Sequence, residues 1–359
     1  MLKKIACLIP SLQPGGMERV MSELLSYFAT LEGVEVHLVM FGMNRDIFYE
    51  IPANIMVHKP NFVFNNSKRL RHTIKTMGYI RTEIKKINPD TILSYGELWN
   101  NLVLLSLWKT KYPVFVSDRC QPTKSIGRMH DFLRKKLYPH AKGIIAQTSQ
   151  AKDLYIKNFG NRNTIVIGNP INLQSPVYEN RENIVLTVGR LIESKHHDEL
   201  IKLFAGLNQD NWKLIIVGGD ALNQHNMSKL EKLVETLGAK NKIELAGNQK
   251  NVESYYKRSK LFAFTSSSEG FPNVVGEALS FGLPVVSFDC VAGPSDMIED
   301  GINGYLVDLF DYKDFSEKLF RLMKDEELRN TIAGKAPLTI SKFKKDVIAR
   351  QYFDFITKL

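Results

Sequence analysis

The chain holds 359 residues, too many for one ordinary hydrophobic core, and at 44% hydrophobic and 24% charged it has the composition of a soluble globular protein with two domains. No apolar run reaches the length that spans a bilayer, and the three scattered cysteines (Cys7, Cys120, Cys290) show no metal or redox spacing, which fits a reducing cytoplasm. A net charge of +10 calls for an acidic partner, yet no nucleic-acid reader motif accompanies it.

The start, Met1 to Pro10, looks superficially like a signal peptide. Its apolar part is short, ends in Pro10 and leads into Gly15-Gly16 rather than a cleavage site, so a first strand from Lys4 to Ile9 is expected. A helix follows from near Met17, with Met17, Val20, Met21, Leu24, Leu25, Phe28 and Leu31 on one face. Consecutive glycines at its start let N–H groups approach a phosphate or sugar, where the helix N-terminus already favours an anion. A turn shaped only by packing is the plainer alternative. The dinucleotide fingerprint and the P-loop lysine motif are absent.

Further strands are expected at Val34 to Phe41, Thr91 to Tyr95, Val114 to Ser117, Gly143 to Ala146 and Thr164 to Ile167. Near-continuous apolar strands alternating with helices predict a parallel sheet covered on both faces. Basic residues from Lys68 to Lys86 fall in one helical stretch. A second group, Lys124, Arg128, Arg134, Lys135 and Lys136, is interleaved with Ile126, Met129, Phe132, Leu133 and Leu137 at helical spacing. Two readings of this amphipathic helix stand level: it rests on an anionic membrane surface, or it packs on its own domain with a solvated basic face.

Gly168-Asn169-Pro170-Ile171-Asn172 breaks the alternation, and the polar run Gln174 to Asn183 reads as a linker. Strands resume at Asn183 to Val188, Lys213 to Val217, Lys242 to Leu245, Leu261 to Thr265 and Pro284 to Phe288. Two doubly wound domains in tandem are therefore expected, with ligand in a cleft at the carboxyl ends of the strands. Arg190 and Lys195 leave the end of the second domain's first strand, where two fixed cations suit a diphosphate that gains charge as it departs. Glu193, His196, His197, Asp198 and Glu199 complete no metal-ligand pattern, and no Asp-x-Asp pair occurs, so no metal is expected.

Glu269-Gly270-Phe271-Pro272-Asn273-Val274-Val275-Gly276-Glu277 lies between two strands and must hold a turn and a short helix, with Pro272 suited to its first position. Two carboxylates flanking free helix N–H groups provide for both sugar hydroxyls and phosphate. Two solvated glutamates at a strand-to-helix turn would be the bland alternative.

Gly15-Gly16, Gly189-Arg190 with Lys195, and Glu269 followed eight residues on by Glu277 together resemble the retaining glycosyltransferases of family 4, over essentially the whole chain. The resemblance implies the GT-B fold, α/β, with two Rossmann-like doubly wound domains, a central cleft and a C-terminal crossover helix. It implies an acceptor-binding domain over residues 1–172, a nucleotide-sugar domain over 173–340, and a helix within 341–359 returning to the first. By the same resemblance Arg190 and Lys195 grip the donor diphosphate, and Glu269 faces the transferred sugar beside Gly270, Phe271, Pro272 and Asn273. Glu277 binds the ribose, Asn273 and Val274 give N–H groups to the phosphates, Gln249 lies near the base, and Gly15 and Gly16 approach from the other domain. Many members carry a histidine near the reacting sugar. Here the stretch reads Val116 to Pro122, so Arg119 takes that place, while Asp118 either acts as a base or pairs with Arg119.

Ser117-Asp118-Arg119 and Gly293-Pro294-Ser295 are similar to motifs of the branch that builds capsular, exopolysaccharide or lipid-linked oligosaccharide chains. That similarity implies a cytoplasmic enzyme, peripheral on the inner membrane face. It would move a hexose or N-acetylhexosamine from a UDP-linked donor to a saccharide on a polyprenyl diphosphate, with no cofactor and no metal. The alternatives are a UDP-sugar epimerase of the same fold and a non-catalytic protein that binds nucleotide sugars or anionic lipid.

Overall fold

A computed structural model describes residues 2–43, 45–174, 180–207 and 209–358. The chain divides into two compact units, Met1–Pro170 with Lys345–Leu359, and Ile171–Lys344. The expected linker over 174–183 lies partly outside the described residues, since 175–179 are not among them.

The first unit opens with β1 (Lys3–Ile9), α1 (Gly16–Phe28), β2 (Val34–Met40), β3 (Met56–His58) and α2 (Arg69–Ile87). It continues through β4 (Thr91–Tyr95), α3 (Glu97–Ser106), β5 (Val114–Ser117) and α4 (Arg128–Leu137). β6 (Gly143–Ala146), α5 (Ser149–Phe159) and β7 (Thr164–Val166) complete its run. The strands form a parallel sheet in the order β3-β2-β1-β4-β5-β6-β7. Alternate strand residues such as Leu8, Ile92, Val116 and Ile144 meet Ile80, Val103, Leu137 and Tyr155 of α2 to α5 in one core. Burial on both faces is why these strands read as continuous apolar runs.

The second unit contains β8 (Ile184–Val188), α6 (His197–Gly206), β9 (Lys213–Val217), α7 (Asn226–Thr236) and β10 (Ile243–Gly247). Then come α8 (Glu253–Arg258), β11 (Leu261–Phe264), α9 (Asn273–Ser280), β12 (Val285–Phe288) and α10 (Pro294–Met297). β13 (Gly304–Val307), α11 (Tyr312–Lys324) and α12 (Glu326–Thr339) finish it, and the sheet order is β10-β9-β8-β11-β12-β13, all parallel. β3 and β13 are strands the sequence pattern misses.

The last helix, α13 (Lys345–Thr357), belongs to the first unit. It starts later than residue 341 because Ile340–Phe343 forms a 3₁₀ turn in the second unit, where Ile171 N–H donates to the Phe343 carbonyl at 2.8 Å. α13 packs on α1 through Phe28 and Phe353, with ring centroids 6.0 Å apart. Ile348, Tyr352 and Ile356 are buried, and each such apolar side chain stabilises the fold by about 1.5–3 kcal/mol. Thr91 Oγ1 caps the arrangement by donating to the Ile356 carbonyl at 2.7 Å.

One polar cluster is buried beneath the carboxyl end of β5, and it corrects two sequence expectations. Asp118 pairs with Arg134, not with Arg119, and also accepts from Tyr138 Oη at 2.6 Å and Asn100 Nδ2 at 3.0 Å. Arg134 is thereby buried, its guanidinium over the rings of Tyr138 and Phe159 at 5.2 and 5.1 Å, so it is no part of an exposed basic face. Burial pushes the Asp118 carboxyl up, against the pull of Arg134, and its enclosure denies it access to a substrate proton. Removing one partner of a buried pair strands the other. Arg134→Ala is thus expected to cost about 3–5 kcal/mol in urea denaturation, while Lys135→Ala and Lys136→Ala, both on exposed side chains, change stability by less than about 0.5 kcal/mol.

Candidate active site

The site in the second unit follows from strand order. β8 and β11 are neighbours in a parallel sheet, so the segments leaving their carboxyl ends, Gly189 to Lys195 and Thr265 to Pro272, emerge side by side. Lys195 Nζ meets Glu269 Oε1 at 2.5 Å, and both side chains are largely shielded from solvent. Lys195 also lies over the Phe264 ring at 5.1 Å. The same cation and carboxylate surround Cys290, whose thiol is pushed up to about 12, first by burial and then by Glu269. Cys290 is therefore no nucleophile at neutral pH.

A seam of hydrogen bonds fixes this pair. Thr265 Oγ1 donates to the Lys195 carbonyl at 2.7 Å, and Ser267 N–H donates to the Ser194 carbonyl at 2.9 Å. His196 takes a left-handed backbone (φ 50°) between them, its Nε2 2.9 Å from Ser267 Oγ. The hydroxyl run Thr265 to Ser268 is the part of the site that motif reading overlooks, although four hydroxyl residues after an apolar strand are visible in the sequence.

The other expected donor residues lie as follows. Arg190 is exposed at the end of β8. Its loop comes so close to β9 that a Cβ on Gly218 (φ 154°) would strike the Gly189 carbonyl. Gly270, Phe271 and Pro272 follow Glu269, and α9 begins at Asn273, so Pro272 stands one place before the first helical position. Pro272 is packed against Gly293 (φ 131°), where any Cβ would collide with its ring. The Asn273 amide is already used, donating to the Phe271 carbonyl at 3.0 Å, so of the two expected phosphate donors this one is engaged within the turn. Glu277 accepts from Tyr256 Oη at 3.0 Å, and Tyr256 is held by stacking on Phe281 at 5.2 Å. Gln249 is exposed in the loop after β10, its side chain donating to the Ala246 carbonyl at 2.5 Å.

Three expected residues belong to the first unit. Gly16 opens α1 with nothing near the position a Cβ would take, and the Gly15 amide donates to Tyr49 Oη at 3.0 Å. Arg119 is engaged: Nη1 donates to Tyr352 Oη at 3.0 Å and Nη2 to Asn169, with the guanidinium over the Tyr95 ring at 4.7 Å. Glu97 Oε1 accepts from the Arg119 amide at 2.6 Å and from that of Cys120.

Comparison with known proteins decides the family. The family model described as Glycosyl transferases group 1 matches residues 170–338, and that described as Glycosyltransferase Family 4 matches residues 14–175. The chain belongs to glycosyltransferase family 4. This glycosyltransferase is 28% identical over 357 residues to the amylovoran biosynthesis glycosyltransferase AmsD of Erwinia amylovora, covering 95% of this chain and 96% of the relative. It is 26% identical, over 100% of its own length and 99% of the other's, to a Campylobacter jejuni enzyme. That relative is named GalNAc-alpha-(1->4)-GalNAc-alpha-(1->3)-diNAcBac-PP-undecaprenol alpha-1,4-N-acetyl-D-galactosaminyltransferase. The apo structure of the lipopolysaccharide outer core galactosyltransferase WaaB superimposes with a TM-score of 0.81 at 22% identity, covering 99% and 100% of the two chains. The two Rossmann-like units of the glycosyltransferase are those of the GT-B fold.

His197, next to this loop, offers a pH readout. Burial first, then the Lys195 charge, depresses its imidazole from 6.5 to about 4. Between those values the unfolded chain binds more protons than the native one. Stability present above 6.5 is therefore expected to fall by about 3 kcal/mol as pH drops through the window. Urea midpoints measured across that range, with His197→Leu flattening the dependence, check this.

Proposed function

We propose that this glycosyltransferase is retaining and moves a hexose or N-acetylhexosamine from a UDP-linked donor to a lipid-linked saccharide in cell-surface glycan synthesis. The observation that carries the donor assignment is the Lys195–Glu269 pair at two adjoining strand ends, with Arg190 exposed on the same loop as Lys195. A cation and a carboxylate fixed together suit a ligand that is anionic on one side and hydroxylated on the other.

Arg190 and Lys195 then neutralise the departing diphosphate, whose negative charge grows as the glycosidic bond breaks. Glu269 orients the transferred sugar through its hydroxyls, and Glu277, steadied by Tyr256, takes the ribose. The acceptor hydroxyl attacks from the face the diphosphate leaves, and a diphosphate oxygen receives its proton. No side chain need act as nucleophile, consistent with a buried Asp118 and a protonated Cys290. Two fixed cations neutralise the leaving group in this reading, which calls for neither metal nor cofactor. Arg119, tied to Tyr352 and Asn169, shapes the acceptor unit rather than carrying protons.

The acceptor assignment rests on the relatives, one named for amylovoran biosynthesis and one for transfer to an undecaprenol diphosphate-linked saccharide. A lipid-linked acceptor places the enzyme as a peripheral protein on the inner membrane face, with the basic residues of the first unit toward anionic lipid. No described helix is long and apolar enough to cross a membrane.

Purified enzyme given UDP-, GDP- and ADP-sugars without acceptor is expected to release nucleotide slowly from one UDP-sugar. An isomerised nucleotide sugar would instead identify an epimerase, and binding without turnover, even with acceptor, a binding protein. Glu269→Ala is expected to lower transfer at least about 100-fold while the protein stays folded by circular dichroism, its urea midpoint lowered because Lys195 loses its partner. Near-normal transfer would overturn the role given to Glu269.

A further inference from the structure

The β3 edge of the first sheet carries a cluster that the proposed reaction leaves unused. Strand residues two apart share a face, so Glu35 and His37 of β2 point the same way. The parallel register sets Lys4 of β1 opposite Glu35, and Met56 of β3 opposite His37. His58, two residues beyond Met56, thus stands diagonally from His37, on the face whose Val39 shares a core with Ile80 of α2. The contacts run in one line. Lys4 Nζ lies 3.0 Å from Glu35 Oε1, and that oxygen lies 2.8 Å from His37 Nε2. His37 Nδ1 lies 2.9 Å from His58 Nε2, and His58 Nδ1 lies 3.0 Å from Glu83 Oε1 of α2. Lys86 Nζ ends the line 3.5 Å from Glu83 Oε2. The imidazole centroids are 5.2 Å apart, so the rings meet end to end through their nitrogens and do not stack.

Counting protons along the line decides its charge. A carboxylate only accepts, so His37 Nε2 and His58 Nδ1 each carry a proton. The two nitrogens that face each other need one more between them, because two lone pairs repel and two N–H groups collide. Three protons on two rings make one imidazole and one imidazolium. The carboxyls do not hold the extra proton at neutral pH, since a carboxylic acid yields it to an imidazole. Hydrogen bonds from Lys4 and His37 keep the Glu35 carboxyl below its usual range as well. Burial holds buried His37 below its ordinary value in spite of Glu35, so the extra proton rests on the more open His58. Beyond Glu83 the remaining titratable neighbours are Tyr79 of α2, kept protonated by burial and then by Glu83, and Arg45.

We propose that His37 and His58 form a one-proton lock that fastens β3 and α2 to the sheet edge only within a limited pH window. Below the window a second proton sets N–H against N–H. Above it the shared proton is gone and lone pair faces lone pair. Either change parts β3 from β2 at their side chains. Little else holds β3, which has three residues, two of them the exposed Met56 and Val57. The next tie along the chain is Arg45, which donates to the Pro60 and Phe62 carbonyls at 3.1 and 2.8 Å. Opening the lock uncovers the hydrogen-bonding edge of β2, where another strand can pair.

Nitrogen-15 NMR of the full chain with labelled histidine tests the lock. Near neutral pH, three of the pair's four ring nitrogens are expected to be protonated. Its protons should leave in two separated steps, one on each side of the ordinary histidine value of about 6.5. Amide exchange at Met56, Val57 and His58, taken relative to the intrinsic rate, is expected to be slowest between those steps and at least about fivefold faster beyond either. Glu83→Gln removes a charge that favours the imidazolium and should move the upper step down, with circular dichroism unchanged. His58→Gln leaves one ring, so the pH minimum in exchange should vanish. Two rings that are both neutral near pH 7, or that titrate in steps Glu83→Gln does not move, overturn the proposal. So does an exchange profile at β3 that is the same in wild type and His58→Gln.

Discussion

The Lys195–Glu269 pair is the constraint on which the functional account depends. Two opposite charges largely withdrawn from water persist only when each solvates the other, so the turns carrying them must be held in register. The sheet supplies coarse register by making β8 and β11 neighbours, and the Thr265 and Ser267 bonds to the Ser194–Lys195 backbone supply the fine part. A left-handed His196, costly for a residue with a Cβ, is tolerated because Ser267 bonds its ring and Phe310 packs against it. A donor diphosphate does not meet a free lysine. In the proposed reaction it draws Lys195 toward itself and leaves Glu269 to take sugar hydroxyls in exchange, which would make donor binding and sugar orientation one event.

The first unit is built on a different economy. Its polar interior is cross-linked: Asp118 takes Arg134, Tyr138 and Asn100, leaving Arg134 Nε buried without a partner, and Arg119 is divided between Tyr352 of α13 and Asn169 near the unit's end. The last helix is therefore joined to its unit by hydrogen bonds as well as by Phe353 on α1 and Phe355 on β5. Arg119, expected from sequence to take the place of the family's histidine, is held as a structural strut. In the proposed reaction the departing diphosphate accepts the proton, and no group of this unit has to do so.

Much of this is legible in the sequence because buried parallel strands are continuous apolar runs. β4, β5, β6 and β9 lie where the pattern places them, while other strands shift by only a residue or two at an end. β3 escapes because it is a three-residue edge strand whose Met56 and Val57 remain exposed, and β13 because Gly304 and Asn303 read as a turn. The Glu269 and Lys195 turns are visible as motifs, but their contact is not, since 74 residues separate them. The burial of Arg134 is hidden for the same reason. Helical spacing places it among Arg128, Lys135 and Lys136, and only the neighbouring strand reveals Asp118 opposite it.

In the proposed reaction the leaving diphosphate, not a protein side chain, assists attack from its own face. Proton NMR of the product at early times, with the α-linked donor identified by nucleotide release, tests this most directly. Retention of the α configuration is the predicted result. A β-linked product would contradict this, because attack from the opposite face calls on a protein base instead of the diphosphate.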